Sequence, residues 1–274
     1  MKYARGFLMA WGNFTAIPCP YRKWHEEARR GMLCMLPLVG AVLGCAVAVL
    51  WALLDFIGAP AVLTGAMVTA AYFMMTGFIH IDGFMDCSDA IMSRRPDMAE
   101  RQRILKDPSV GAFAVVSVGV MAMLFAASMI TLGSDFFVDV ACVLPAIFAV
   151  SRALASDAVM RYPVMGTSQY SDMRREGAGA SAGERAVLWL TGAGSLLALY
   201  FLAYIWGGCF EGADSGGAIF YFGSVAAAAV AEVAAGYSDR RQLGGMSGDV
   251  SGHMLVTGEA VGVLAAALLY VVCR

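Results

Sequence analysis

Three aspartates stand close together directly after a long apolar run of the sequence. Asp82, Asp86 and Asp89 lie in the stretch from Gly77 to Ala90, and on a helix they fall within an arc of roughly 60°. Carboxylates about 6 Å apart, at an effective dielectric constant of about 20, repel each other by roughly 3 kcal/mol per pair. We therefore expect a cation on this face. An oxygen-only ligand set favours Mg²⁺, with Mn²⁺ as a substitute. The alternative is an acidic helix start, which accounts for one aspartate better than for three.

A second candidate segment places a lysine ahead of a glycine. Lys106 and Gly111 lie just before a later apolar run. A lysine there can balance the charge of a phosphate, and a glycine lets the phosphate approach the backbone at a helix start. Taken alone, the segment fits equally well an ordinary loop with a lysine that reaches out to the interface. Its combination with the aspartates favours the phosphate site.

The glycine-rich segment from Leu243 to His253 is the third candidate. Glycines such as Gly245 and Gly248 expose backbone N–H groups, and Ser247 and Asp249 add side-chain oxygens that suit a phosphate or a metal. The segment is not a Walker A motif, because no Gly-Lys-Ser/Thr sequence follows. A flexible turn between helices is the alternative.

Two further ionisable residues lie in or beside apolar runs. Glu259 lies about two turns inside the last run, where an unpaired charge costs several kcal/mol. His80 is offset from the three aspartates by nearly half a helical turn. We expect His80 to orient other residues or to pack in the core rather than to bind the metal.

The composition places these residues in a membrane protein. The chain of 274 residues is 59% hydrophobic and 15% charged, with a mean hydropathy of +0.68, whereas a soluble domain carries about 25% charged residues. A net charge of −2 gives no reason to expect nucleic acid as a partner. The seven cysteines form no C-x-x-C pair, which favours buried apolar positions over disulfides or a zinc site.

The apolar runs predict an all-α, polytopic bundle of about seven transmembrane helices in a single integral-membrane domain over residues 1–274. An N-terminal segment, 3–17, is too short to span and is expected to lie in the interface. The predicted spans are 32–57, 60–81, 110–132, 136–154, 185–206, 217–236 and 253–273.

The basic residues test this arrangement independently of hydropathy. The alternate segments 1–31, 82–108, 152–185 and 237–252 hold eighteen of the nineteen lysines and arginines, and only Arg274 falls on the other side. By the positive-inside rule, the N-terminus and the long loops face the cytoplasm. The candidate residues lie in these segments or in the adjoining turns of the spans, so we expect the active site at the cytoplasmic face.

Together these segments resemble the cobalamin synthase family, also called adenosylcobinamide-GDP ribazoletransferase. The likeness runs along most of the chain. Phe78 stands where the family usually has a second glycine, and Val256 replaces an acidic or amide residue, which leaves Glu259 as the better candidate acid. The motifs that carry the resemblance are Phe14-Thr-Ala-Ile-Pro18, Pro37-Leu-Val-Gly40, His80-Ile-Asp82-Gly-x-x-Asp86-x-x-Asp89-Ala90, Lys106-Asp-x-x-x-Gly111-Ala-Phe113, Ser151-Arg152 and Gly244-Gly-x-Ser247-Gly-Asp249-Val-x-Gly252.

The resemblance implies the last assembly step of the cobalamin nucleotide loop. α-Ribazole, or its 5′-phosphate, attacks adenosylcobinamide-GDP, GMP leaves, and adenosylcobalamin or its 5′-phosphate forms with Mg²⁺ required. Asp82, Asp86, Asp89 and Asp249 would hold one or two Mg²⁺ on the pyrophosphate, and Lys106 would balance charge on the leaving GMP. The other predicted binding residues are Arg94, Arg95, Arg152, Gly245, Ser247, Gly248 and Glu259.

The implied setting is the cytoplasmic (inner) membrane of a bacterium or archaeon, with the lipid bilayer and the two substrates as partners. A homo-oligomer is compatible with the sequence. One alternative is a lipid enzyme like the CDP-alcohol phosphotransferases, but Asp86 occupies the alanine position of that motif and its second acidic group is absent. Another alternative, a cation transporter, would carry its acids near the middle of the bilayer rather than at one face.

Overall fold

The structure is a computed structural model that describes residues 1–19, 21, 23–132, 137–166, 168, 170, 180–205 and 215–273. Its regular elements are helices, and one isolated bridge joins Val164 to Met246. A single 3₁₀ turn, Glu26–Ala28, precedes the second α-helix. The α-helices are α1 (Lys2–Phe14), α2 (Arg29–Phe56), α3 (Ala61–Met75), α4 (Ile79–Met92), α5 (Met98–Ile104), α6 (Ala112–Leu132), α7 (Phe137–Arg161), α8 (Ala182–Ile205), α9 (Ser215–Leu243) and α10 (Gly248–Cys273).

Six stretches within the described residues are long and apolar enough to cross a membrane. They are Glu26–Phe56, Ala112–Leu132, Val140–Arg161, Ala182–Ile205, Gly217–Leu243 and Gly248–Val272. The pair α3 and α4 makes a seventh if it counts as one broken span. The predicted all-α class and the number of about seven spans are thus confirmed.

The second predicted span, 60–81, is not a single helix. α3 ends at Met75, and α4 begins at Ile79 after a bend of 89°. Gly77 and Phe78 make the bend, with φ angles of +61° and +60°. This left-handed conformation costs a non-glycine residue about 1–2 kcal/mol, so position 78 favours the glycine that the resemblance places there.

Several helices continue beyond the predicted ends of the spans. α7 runs to Arg161 rather than residue 154, α9 runs to Leu243 rather than 236, and α10 begins at Gly248 rather than 253. The predicted loop 82–108 contains most of α4 and all of α5. Hydropathy marks where apolar side chains stop, whereas a helix continues as long as its backbone hydrogen bonds do. The predicted outer loop 133–135, residues 207–214 of the loop 207–216, and residues 167, 169 and 171–179 of the loop 156–184 lie outside the described residues.

Glycines bring the central helices into close contact. A Cβ atom on Gly44 of α2 would lie 2.7 Å from the backbone nitrogen of Pro145 of α7, and one on Gly40 would lie 2.7 Å from Cδ of Arg152. Small residues at such positions let membrane helices approach closely. α7 therefore runs through the middle of the bundle, and residues such as Leu144 are fully buried.

The predicted interfacial segment forms the amphipathic helix α1, which packs on α2. A Cβ on Gly6 would lie 2.8 Å from the backbone nitrogen of Met32, so the two helices are in backbone contact. Lys2 Nζ also lies 2.5 Å from Glu184 Oε1 at the start of α8. α1 is thus attached to two different helices at one end of the bundle.

Candidate functional site

The aspartates of α4 lie on the face that points away from the protein core. Asp82 is exposed, and Asp86 and Asp89 are half-buried. The opposite face of α4 is buried and carries His80, Cys87 and other residues. The helical period that separates the two faces is the one expected from the sequence, and the bend at Gly77–Phe78 turns this helix away from the direction of α3.

The start of α10 packs directly against α4. A Cβ on Gly83 would lie 2.8 Å from Cα of Asp249 and 2.9 Å from its carbonyl oxygen, and one on Gly252 would lie 3.0 Å from the carbonyl oxygen of His80. At position 83 a larger residue would force the backbones apart, and at position 252 a Cβ would make a tight contact. The contact brings Asp249 beside the acidic face of α4, although 160 residues or more separate the two in the sequence.

Several aspartates and one lysine lie near one another where α4 contacts α10. Asp86 lies within electrostatic reach of Asp82, Asp89 and Asp249, and Asp249 lies within reach of Asp82 and Lys106. In the part of the chain that the structure describes, Asp82, Asp86 and Asp249 form no ion pair with an arginine or lysine. The cluster therefore keeps a net negative charge that a bound cation would neutralise.

Asp89 is held by the backbone of α6. Its Oδ2 accepts a hydrogen bond from the Gly111 N–H at 2.6 Å, and its Oδ1 accepts one from the Ala114 N–H at 2.8 Å. A carboxylate at a helix start is stabilised by the free N–H groups and by the helix dipole. Gly111 thus admits the Asp89 carboxylate, where the sequence suggested a phosphate, and the role of Asp89 as a metal ligand stays a prediction.

The loop that contains Lys106 also has internal order. The Ser109 N–H donates to the Asp107 carboxylate at 2.9 Å, and this hydrogen bond holds the pKa of Asp107 below its usual value. Lys106 is exposed. In the folded chain, this predicted basic residue lies within electrostatic reach of Asp249.

The glycine-rich loop between α9 and α10 is largely committed to internal contacts. Gly244 and Gly245 have φ angles of +88° and +154°, and the Met246 N–H donates to the Pro163 carbonyl at 2.8 Å. Ser247 Oγ accepts a hydrogen bond from the Val250 N–H at 3.1 Å and therefore caps α10. The first-turn N–H groups of α10 have no intrahelical carbonyl to bind. The loop supports α10, and direct phosphate contacts of Gly245, Ser247 and Gly248 stay predictions.

Arg152 and Glu259 lie in the interior of the bundle and bind each other. Arg152 is fully buried and donates from one terminal nitrogen to Glu259 Oε1 at 2.6 Å and from the other to the Tyr72 hydroxyl at 3.2 Å. The Tyr72 hydroxyl donates to Glu259 Oε2. Arg152 lies within α7, inside the predicted span 136–154, and the helix continues past it into the predicted loop. Burying either charge alone is expensive, so the two residues are paired across α3, α7 and α10, and these contacts give no support to phosphate binding by either.

Arg94 and Arg95 lie at the surface after α4, and both are exposed. Arg94 has a φ angle of +53°, and Arg95 Nε lies 4.0 Å from Glu100 Oε2. The structure does not bring these arginines into contact with the carboxylates. They remain candidates for the outer phosphates of a large substrate.

Two supporting contacts were missed by the sequence analysis. α5 is bound to the end of α9, because Gln102 Nε2 donates to the Leu243 carbonyl at 2.7 Å. His253, one turn after Asp249, has Nδ1 at 2.7 Å from Asp239 Oδ2 and stacks on Phe84 of α4. Asp239 is near the polar end of α9, and only the fold brings it next to His253, so no spacing in the sequence indicates the pair.

The donor set suits a hard divalent cation by its chemistry. Asp82, Asp86 and Asp249 offer carboxylate oxygens without cysteine, which is the ligand type of Mg²⁺ and Mn²⁺. Among the described residues, no three His, Cys, Asp or Glu side chains converge closely enough to hold a metal on their own. Mg²⁺ usually keeps several waters and binds through one or two carboxylates together with substrate phosphates. The arrangement therefore fits a metal that arrives with a phosphorylated substrate.

Known proteins are similar to this sequence along nearly the whole chain. Residues 6–267 match the model of the cobalamin-5-phosphate synthase family. The adenosylcobinamide-GDP ribazoletransferase of Clostridium perfringens (strain 13 / Type A) is 30% identical over 263 residues, which cover 96% of this chain and 97% of the relative. The enzymes of the same name from Clostridium botulinum (strain Alaska E43 / Type E3) and Geobacillus kaustophilus (strain HTA426) are each 31% identical over 268 residues. The first covers 96% of this chain and 97% of the relative, and the second covers 95% of both. No solved structure matches the chain significantly.

Proposed function

The chain belongs to the cobalamin-5-phosphate synthase family, and from this membership we propose that it is an adenosylcobinamide-GDP ribazoletransferase. A ribose hydroxyl of α-ribazole, or of its 5′-phosphate, attacks the cobinamide-linked phosphorus of adenosylcobinamide-GDP. A new P–O bond forms, the P–O bond to GMP breaks, and the hydroxyl proton is lost to a base. The products are adenosylcobalamin, or its 5′-phosphate, and GMP. The observation that carries this proposal is the contact of α4 with α10, which sets Asp249 beside Asp82 and Asp86.

In the proposal, Asp82, Asp86 and Asp249 hold Mg²⁺, with Mn²⁺ as a substitute. The bound cation supplies charge neutralisation on the pyrophosphate. Transfer of a phosphoryl-type group depends mainly on positioning and on neutralising charge, and this chain provides both through carboxylates on two packed helices. Lys106, within electrostatic reach of Asp249, balances charge on the leaving GMP. Asp89 holds the start of α6 against α4 and so keeps the loop that carries Lys106 next to the cluster.

The direct test is an assay of the purified protein in liposomes with adenosylcobinamide-GDP, α-ribazole and Mg²⁺. We expect GMP release together with the cobalamin product. Absence of GMP, next to an active relative assayed in parallel, would overturn the assignment. A comparison of α-ribazole with its 5′-phosphate then decides which of the two is preferred.

The metal proposal has a test that does not require turnover. Mg²⁺ together with the non-hydrolysable analogue of adenosylcobinamide-GDP should raise the thermal unfolding temperature of the protein in detergent, because a ligand that binds only the folded state stabilises it. In Asp82→Asn and Asp86→Asn, the Mg²⁺-dependent part of this rise should disappear and turnover should fall below detection. Near-normal turnover in either variant would remove that aspartate from the metal site.

We further propose that the N-terminus and the carboxylate cluster face the cytoplasm across a bacterial inner membrane. The support is the distribution of basic residues, since eighteen of nineteen fall in alternate segments of the sequence. A reporter that is active only in the cytoplasm should be active when fused at Gly179 and silent when fused at Gly212. The reverse pattern would invert the orientation.

A further inference from the structure

A small cavity of about 30 Å³ lies between α1, α2, α4, α7 and the start of α10. His80, Ser156, Tyr170 and Ser251 contribute polar side chains to its wall, and Leu33 and Leu255 are among its apolar lining residues. A cavity of this size has room for about two water molecules, since one water needs roughly 10–15 Å³ of such volume.

Two buried polar atoms on this wall have no hydrogen-bond partner among the described residues. They are Nε2 of His80 and Oγ of Ser156. The two side chains are 8% and 1% exposed, so bulk water does not reach them freely. An unpaired polar atom in such a place costs about 1–3 kcal/mol. Both residues, one on α4 and one on α7, line this cavity, and His80 also lines a smaller one beside Tyr72 and Glu259. A ligand in the shared cavity can reach both side chains.

The wall also limits the chemistry of that ligand. Apart from His80, none of its described residues has an acidic or basic side chain, and most of them are apolar. An ion would lose its hydration there without a compensating charge, whereas a neutral O–H group can both donate and accept hydrogen bonds. A hydroxyl therefore fits the size, the polarity and the orphaned atoms of the cavity.

The cavity lies beside the first turn of α10, on the face of α4 opposite its aspartates. Gly248 and Ser251, which flank Asp249 in the first turn of α10, line it, and His80 precedes Asp82 by two residues on α4. We propose that this cavity is a hydroxyl-binding site in which His80 Nε2 and Ser156 Oγ hydrogen-bond one neutral O–H group, either a water molecule or a ribose hydroxyl of the acceptor substrate. The choice of a ribose hydroxyl rests on the proposed function. The existence of the site does not.

The first arm of the test detects the ligand without turnover. Radiolytic footprinting in H₂¹⁸O oxidises buried side chains that touch a bound water. Leu33 and Leu255, each 1% exposed, line the cavity, whereas Leu144 and Leu188, each fully buried, do not. We expect the first pair to be labelled several-fold faster than the second in the substrate-free protein. Ser156→Val, which fills the cavity and removes the hydroxyl, should make the labelling rates of the two leucine pairs equal.

The second arm distinguishes a substrate hydroxyl from water. Wild-type protein is assayed with α-ribazole and with analogues that each lack one ribose hydroxyl. If a ribose hydroxyl enters the site, one analogue should show a kcat/KM about tenfold lower, as expected for one lost hydrogen bond, and Ser156→Ala should erase that difference. The ligand is water if two results are found together. Each analogue keeps, in Ser156→Ala, the kcat/KM relative to α-ribazole that it has in the wild type, and Leu33 and Leu255 are labelled faster than the control leucines in the wild type.

A matched control separates this site from general damage to the bundle. Ser224 is also a fully buried serine, but its hydroxyl already donates to the Phe220 carbonyl at 2.5 Å. Ser224→Val should leave both the labelling of Leu33 and the analogue ratios unchanged. Equal labelling of all four leucines in the wild type, together with analogue ratios that Ser156→Ala does not alter, would overturn the proposal. A protein that labels as expected but releases no GMP would instead refute only the proposed function.

Discussion

Replacement of Gly83 by alanine tests whether the contact between α4 and α10 forms the active site. Gly83 lies between Asp82 and Asp86 on the buried side of α4, and its backbone touches Asp249. A methyl group there enters the helix contact without touching any carboxylate oxygen directly. The substitution changes the distance between the two helices and leaves every charged group in place.

The size of the displacement follows from the structure. The new Cβ would lie 2.8 Å from Cα of Asp249, and ordinary van der Waals contact begins at 3.4 Å, so the helices must separate by about 0.6 Å. The opposing atoms belong to the backbone, so no side-chain rotation relieves the clash. Catalytic geometry tolerates displacements of about 0.5 Å, and one of about 1 Å reduces the rate roughly a hundredfold.

We therefore expect Gly83→Ala to lower kcat by about ten- to a hundredfold. Its effect on stability should be small. Overpacking costs about 1–3 kcal/mol, and the higher helix propensity of alanine returns about 1 kcal/mol. The perturbation should therefore appear mainly in turnover, with the thermal unfolding temperature lowered by only a few degrees.

The assay is GMP release in liposomes, with thermal unfolding in detergent measured on the same preparations. Gly119→Ala is the control, because Gly119 also lies within a helix, α6, and a Cβ there meets nothing within 4 Å. The control should have wild-type turnover and equal or higher stability. Wild-type turnover in Gly83→Ala would show that the separation of α4 from α10 does not govern the reaction, and the site would have to be placed elsewhere.

Three further predictions test the supporting structure. Phe78→Gly should raise the free energy of unfolding by roughly 1 kcal/mol, because Phe78 is 52% exposed and adopts a left-handed conformation; a loss of stability in denaturant titration would contradict this. Asp89→Ala should cost about 1 kcal/mol by removing the cap of α6, and Asp89→Asn should cost less. Loss of turnover in the asparagine variant despite its stability would make Asp89 a metal ligand, and normal turnover would limit it to the cap. Glu259→Leu should cost about 3–5 kcal/mol by leaving the buried Arg152 without a counter-charge, whereas the double variant Arg152→Met/Glu259→Leu should be more stable than this single variant in thermal unfolding. If the double variant is no more stable than Glu259→Leu, the loss of stability in the single variant does not come from the unpaired charge of Arg152.

The fold class could be predicted from the sequence because it depends on composition, and the composition is the same whatever the tertiary structure. An apolar run long enough to cross a bilayer must form a helix there, because no water is present to bind its backbone groups. The acidic face of α4 was predictable for a similar reason. Residues 82, 86 and 89 share one face of any helix that contains them.

The bend before α4 was not predictable from the local residues. Phe78 gives no signal for a left-handed backbone, and only its departure from the family pattern pointed to the position. The chain bends by 89° here, and after the bend α4 packs against α10. Asp89 is a similar case. Its spacing matches Asp82 and Asp86, but the free N–H groups at the start of α6 lie next to it only in the folded chain.

By itself, the sequence determined which residues carry charge, which long apolar runs are helical and that Asp82, Asp86 and Asp89 share one helix face, because these properties depend on residue type and on the helical period. Only the tertiary structure decided which charges meet. Arg152 and Glu259, for which substrate binding stays a prediction, pair with each other inside the bundle, since neither charge can be buried alone. Asp249 lies beside Asp82 and Asp86 because Gly83 and Gly252 let α4 and α10 approach to backbone contact. That approach depends on the packing of the whole bundle.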